Sequence, residues 1–117
     1  MYGVSSPLTA ESQGYIRELM AAVVPDQQWG ISAAADGGFE LKNGWLPRSQ
    51  TELWDINSIG RVTSGGTSYL VAVVSDGHAA FEDGIAVVEA AARAAVEAVT
   101  SDPGANLNAT RRLGPIA

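Results

Sequence analysis

The chain of 117 residues has no cysteine, one lysine and one histidine. Without cysteine there are no disulfides and no thiolate metal sites, and a single histidine leaves no donor set for a zinc or iron centre, so no metal or other cofactor is expected. The absence does not choose a compartment, because extracellular proteins can manage without disulfides. Positive charge is scarce as well: seven Lys and Arg stand against thirteen Asp and Glu, a net charge of −6. A polyanion is repelled by such a chain, which argues against nucleic acid as a partner. Long apolar runs are also missing. Residues 69–74 form an apolar run far short of the ~20 residues that cross a bilayer, and the N-terminus has no basic segment followed by an apolar one. The chain therefore reads as soluble, with no membrane partner and no export signal of its own.

What remains is enough for a folded body. Apolar residues make up 46% and charged residues 17%, a balance that favours a core over disorder. At this length about two-thirds of the unfolded surface can be buried, so stability is expected to be modest. After Pro7 and Thr9, the side chains Ile16, Leu19, Met20, Val23 and Val24 recur at helical spacing, with Thr9 as N-cap and Pro25 as stop. This predicts a helix of about four turns with one buried stripe. Residues 29–34 and 39–45 flank Asp36-Gly37-Gly38 and are expected to pair as a hairpin. Residues 54–62 and 67–75 form a second pair around Ser64-Gly65-Gly66. Residues 69–74 are apolar on both faces, the pattern of a central strand covered on each side.

The last element is a second helix. Phe81, Ile85, Val88, Ala92, Val96 and Val99 repeat every three or four positions, while Glu82, Glu89, Arg93 and Glu97 fall largely elsewhere. The expected fold is α+β: an antiparallel four- to five-stranded sheet flanked by an N-terminal and a long C-terminal helix. Residues 1–8 read as an N-terminal extension, 9–99 as the α/β body and 100–117 as a flexible tail rich in Pro, Gly and Asn. No internal repeat or second domain is visible.

The strongest functional lead is the lone lysine, in Glu40-Leu41-Lys42-Asn43-Gly44-Trp45. A fixed positive charge beside a glycine on a strand edge can hold an anionic group against backbone N–H donors. Ser75, Asp76 and His78 invite comparison with a hydrolytic triad. Side chains two or three apart at a strand exit rarely converge, which favours a surface histidine, with Ser75 and Asp76 ending a strand. Trp29, Trp45 and Trp54 suit either a substrate groove or packing in a core or interface. Arg61 falls late in its strand, which favours a surface ion pair over a role with a substrate carboxylate. Asn108-Ala109-Thr110 fits a glycosylation pattern short enough to arise by chance.

Taken in order, Trp29-Gly30-Ile31-Ser32, Lys42-Asn43-Gly44-Trp45-Leu46-Pro47, Trp54-Asp55-Ile56-Asn57-Ser58-Ile59-Gly60, Tyr69-Leu70-Val71-Ala72-Val73-Val74-Ser75-Asp76 and Gly84-Ile85 resemble one family. It is the serine β-lactamase and penicillin-binding-protein family, and the likeness is to the C-terminal half of class A β-lactamase-like serine hydrolases of actinobacteria. It covers about residues 8–99. The resemblance implies that Lys42 steadies a substrate carboxylate and the proton network, and that Gly44 lets the ligand lie along the strand. It makes the Trp45 N–H one of two oxyanion donors. Asn43 stands where the family has a hydroxyl, and its amide can still donate to a carboxylate. The implied ligand is a β-lactam or a peptidoglycan-like amide or ester, and the implied location of the parent is extracellular or in the cell envelope.

The family's Ser-x-x-Lys nucleophile has no counterpart, since Phe39 stands three positions before the sole lysine. Its Ser-x-Asn element and its acidic deacylation residue are also unmatched. No catalytic residue is therefore assigned, and the isolated chain is expected to be inactive. The expected partner is the missing helical half-domain. The alternative is a non-catalytic binding or interaction module of the same fold.

Overall fold

Thr9 starts the helical part of the chain, its hydroxyl accepting the Ser12 N–H at 3.1 Å, as an N-cap should. The computed structural model describes residues 2–101. Helix α1 runs Ala10–Ala21, followed by short 3-10 turns at Pro25–Gln27 and Ile31–Ala34. Strands β1 (Phe39–Pro47), β2 (Trp54–Ser64) and β3 (Thr67–His78) lead into α2 (Phe81–Ser101). Residues 102–117, which hold most of the expected tail and the Asn108-Ala109-Thr110 pattern, lie outside the described residues. Of the stripe expected on α1 only Met20 is buried; Ile16 and Val23 are half-buried and Leu19 and Val24 exposed.

Among the described residues the sheet has three strands, not four or five, in the order β1-β2-β3, and both pairings are antiparallel. Residues 29–34 do not form the expected strand. Gly30 adopts φ +99° and the Ser58 hydroxyl accepts the Ile31 N–H at 3.0 Å, which draws the segment into a 3-10 turn. Asp36-Gly37-Gly38 is accordingly the link into β1 and not a hairpin. The second expected pair is real: Gly65 and Gly66, at φ +58° and +78°, supply the two positive dihedrals of a two-residue hairpin. The apolar run 69–74 is not central, however. It lies in β3 at the sheet edge, and β2 takes the middle.

Alternation along each strand sorts the side chains into two faces. Leu41, Ile56, Ser58, Val62, Tyr69, Val71 and Val73 face α2, whose buried Gly84, Val88, Ala92 and Val96 recur every fourth residue. Gly84 permits this approach, since a Cβ there would stand 2.3 Å from Ile56 Cγ1. The opposite face carries Glu40, Lys42, Asn57, Ile59, Arg61, Leu70, Ala72 and Val74. Helix α1 packs beside β1 near Glu40. Among the described residues nothing covers the β2–β3 half of this face: Ile59 is 45%, Leu70 64% and Val74 80% exposed.

At the far end of β3 the register slips between Trp54 and Ile56. His78 pairs with Trp54 and Ser75 with Ile56, so β3 carries one extra residue there. Gly77, at φ +76°, absorbs the bulge.

Candidate functional site

Among the described residues strand β1 is a sheet edge, and its hydrogen-bond phase follows from one contact. Thr63 N–H donates to Gly38 C=O at 2.9 Å. Antiparallel pairing alternates with a period of two, so residues 40, 42 and 44 of β1 bond β2. Asn43 and Trp45 then turn their N–H and C=O groups outward. Lys42 is exposed on the face opposite α2, and its Nζ reaches around the edge to donate to the Asn43 carbonyl at 2.5 Å. The ammonium and the outward Trp45 N–H thus share one free edge. A Cβ placed on Gly44 would meet nothing within 4 Å, so the strand is open beside them.

Asn43 behaves differently from its neighbours. It is 3% exposed, and its Nδ2 donates to the carbonyls of Gln27 and Trp29 at 2.9 and 2.8 Å. The amide therefore ties the 3-10 segment to β1, and its buried Oδ1 has no partner among the described residues. Trp45 is 41% exposed and its ring packs against others. Trp29 and Phe81 lie 5.8 and 6.0 Å from it, and Phe81 is also 5.8 Å from Trp29 and 5.3 Å from Trp54. All three tryptophans take the packing role at one end of the sheet.

Ser75 and His78 do converge, because the Gly77 bulge turns the strand between them. His78 Nε2 lies 2.8 Å from Ser75 Oγ. The serine hydroxyl donates to the Ile56 carbonyl at 2.6 Å, and Asn57 Oδ1 accepts the Ser75 N–H. Asp76 is exposed beside a shallow cleft of about 360 Å³, where Arg48 pairs with Asp55. These contacts close the bulge; the serine proton is already engaged by a backbone carbonyl.

Arg61 makes the ion pair expected of it, with Glu40, and around that carboxylate gathers a larger cluster that the sequence pattern does not show. Arg17 Nε donates to the Glu40 carboxylate at 3.2 Å, Arg61 at 3.0 Å and the Tyr2 hydroxyl at 3.1 Å. The Arg17 guanidinium also lies over the Tyr2 ring at 5.5 Å. The available signal was the direct cross-strand pairing of Glu40 with Arg61, which depends on a register that only the fold reveals. Burial opposes ionisation of Glu40. The hydrogen bonds from Arg17 and Tyr2 and the charge of Arg61 outweigh it and hold the carboxyl below its ordinary 4.5. A carboxyl lowered by folding stabilises the protein above its unfolded value, and that stabilisation fades as pH falls through the folded value. Thermal melts from pH 7 to 3 should therefore show the difference between wild type and Glu40→Gln largest near neutrality, at about 2 kcal/mol, and shrinking below about pH 4.5. A difference that stays constant down to pH 3 would contradict this assignment.

Among the described residues no three His, Cys, Asp or Glu side chains cluster to hold a metal ion. No helix among them is long and apolar enough to cross a membrane. Comparison with family models, with curated proteins and with solved structures finds no match.

Proposed function

We propose that the chain is the C-terminal portion of a β-lactamase-like serine hydrolase, and that it supplies the wall receiving the substrate carboxylate and part of the oxyanion. The observation that carries this reading is the sharing of one free strand edge by the Lys42 ammonium and the outward Trp45 N–H. In the reaction, a serine on the missing half attacks the carbonyl of a β-lactam or related amide or ester. The tetrahedral oxyanion accepts hydrogen bonds from the Trp45 N–H and from the nucleophile's own N–H. Lys42 leaves the Asn43 carbonyl and pairs with the substrate carboxylate. Gly44 keeps side-chain bulk away from the ligand. Asn43, tied to Gln27 and Trp29, holds the strand in place. The bare apolar face lies on the same side as Lys42, where a helical half-domain would dock.

The reading expects an in-frame segment encoding Ser-x-x-Lys ahead of Met1. Alone, the chain should neither turn over nitrocefin nor take a fluorescent penicillin label. Mixed with that upstream half it should do both, and Lys42→Ala should slow the mixture about 100-fold. Labelling of the chain alone, or a mixture indifferent to Lys42→Ala, would sink the proposal.

A second reading is a non-catalytic module that binds a partner on the sheet. The exposure of Ile59, Leu70 and Val74 together favours it. Under that reading no upstream half restores turnover.

A further inference from the structure

Among the described residues nothing pairs with the outer edge of β3, and a space beside it is left unfilled by them. A groove of about 430 Å³ runs along it, lined by residues 67–72 and by Ala95, Val96 and Val99 of α2. The hairpin fixes the phase of the edge. A two-residue loop closes on the hydrogen-bonded pair Ser64 and Thr67, so β3 residues 67, 69, 71 and 73 bond β2. Residues 68, 70, 72 and 74 then direct their N–H and C=O groups outward. Natural edges are usually blunted with lysine or proline; β3 contains neither, and its one charge is Asp76.

Helix α2 is matched to this edge. Val87, Ala91 and Ala98 share the flank of Ala95 by helical spacing, and all four are exposed. Of the charged residues of α2, Asp83 stands one turn before Val87 at the start of this flank, while Glu82, Glu89, Arg93 and Glu97 fall on other sides. The chain carries a net charge of −6, yet residues 67–74 of the β3 edge and the flank from Val87 to Ala98 hold none of it, the charges of this strip being confined to Asp76 and Asp83 at one end. A neutral seam on an acidic protein suits a second acidic molecule of the same kind.

We infer that a second copy of this chain adds here, β3 against β3 in antiparallel register about a two-fold axis through Ala72. That register makes residues 70, 72 and 74 bond residues 74, 72 and 70 of the other copy. It also sets Ser68 opposite Asp76, where a hydroxyl can donate to the carboxylate. The axis is perpendicular to the sheet, so both α2 helices lie on the same face of one six-stranded sheet. The side chains of Tyr69, Val71 and Val73, half-buried in the single chain, then enter the partner's groove. Nine residues of edge span about 27 Å, the breadth of an interface of standard size, about 800 Å² per partner. The inference does not rest on the hydrolase reading, which concerns the opposite edge of the sheet.

The test is sedimentation equilibrium of the full chain up to about 100 μM. The expected result is a dimer of the 12.1 kDa chain. Ala95→Glu, which sets a carboxylate on the exposed helix flank, should weaken it at least about tenfold while circular dichroism stays unchanged. Ile59→Glu, on the bare face, should leave it intact. Ala72→Cys should oxidise to a disulfide-linked dimer, since the wild type has no other cysteine. A monomer at the highest concentration would overturn the inference. So would a dimer broken by Ile59→Glu but not by Ala95→Glu, which would place the interface on the bare face.

Discussion

Gly60→Ala should leave the chain unfolded, with the far-ultraviolet spectrum of a disordered polypeptide and no cooperative melt. Gly60 sits in the middle of β2, paired with Leu41 on one side and Val71 on the other. Its φ is +150°, and an added Cβ would stand 1.9 Å from the Glu40 carbonyl oxygen and 2.9 Å from Leu41 Cα. Both obstacles are backbone atoms, so no rotamer change relieves them, and moving β1 away breaks the ladder that carries Lys42. Dihedral strain of about 1–3 kcal/mol adds to lost pairing. The sum, about 4 kcal/mol or more, approaches the entire stability of a domain this small. Gly44→Ala is the matched control. It lies in β1 with nothing within 4 Å of the new methyl, and its effect should stay below about 1 kcal/mol. Equal losses at the two positions would show that the close approach of β1 to β2 at Gly60 is not what excludes a side chain.

Phe81→Ala should cost about 3–5 kcal/mol and change tryptophan emission. Phe81 opens α2, and its ring lies within 5.3–6.0 Å of the rings of Trp29, Trp54 and Trp45. These are all the tryptophans in the chain, and each edge-on or tilted pair adds about 0.5–1.5 kcal/mol beyond burial. Removing the ring leaves a gap among three large side chains and frees the start of the helix that covers the sheet. Urea denaturation followed by fluorescence gives both readouts at once: a lower midpoint, and a red-shifted native spectrum as the indoles meet water. Phe81→Leu, which keeps apolar bulk without the π-system, should recover most of the stability. A native spectrum unchanged by Phe81→Ala would refute the packing assigned to the tryptophans.

The elements that could be read from the chain are those whose signals are local. Thr9 caps α1 because its hydroxyl needs only the next turn. Gly65-Gly66 makes a hairpin because the turn demands two positive φ angles in succession. The four-residue ladder of α2 records which face meets the sheet. Residues 29–34 were not readable, because what bends them is the distant Ser58 hydroxyl holding the Ile31 N–H. The run 69–74 misleads for a different reason: apolar residues on both faces say what a strand tolerates, not what lies over it. At the candidate site, Lys42 was visible as the sole lysine and lies on the open edge. The commitment of Asn43 to Gln27 and Trp29 depends on how the chain returns to β1, as does the gathering of Tyr2, Arg17 and Arg61 around Glu40. No nearest-neighbour pattern reports either.

The small knot at the end of β3 dictates where protons sit on the histidine. Ser75 Oγ gives its only hydrogen to the Ile56 carbonyl, so it can meet His78 Nε2 only as an acceptor. The neutral imidazole is thereby held as the Nε2–H tautomer, leaving Nδ1 as its basic atom. An arrangement that looks hydrolytic in outline runs with the opposite polarity: the ring presents a donor to the oxygen and cannot withdraw its proton. Nitrogen-15 chemical shifts of the single histidine would display this directly, with Nε2 pyrrole-like and Nδ1 pyridine-like in the neutral ring.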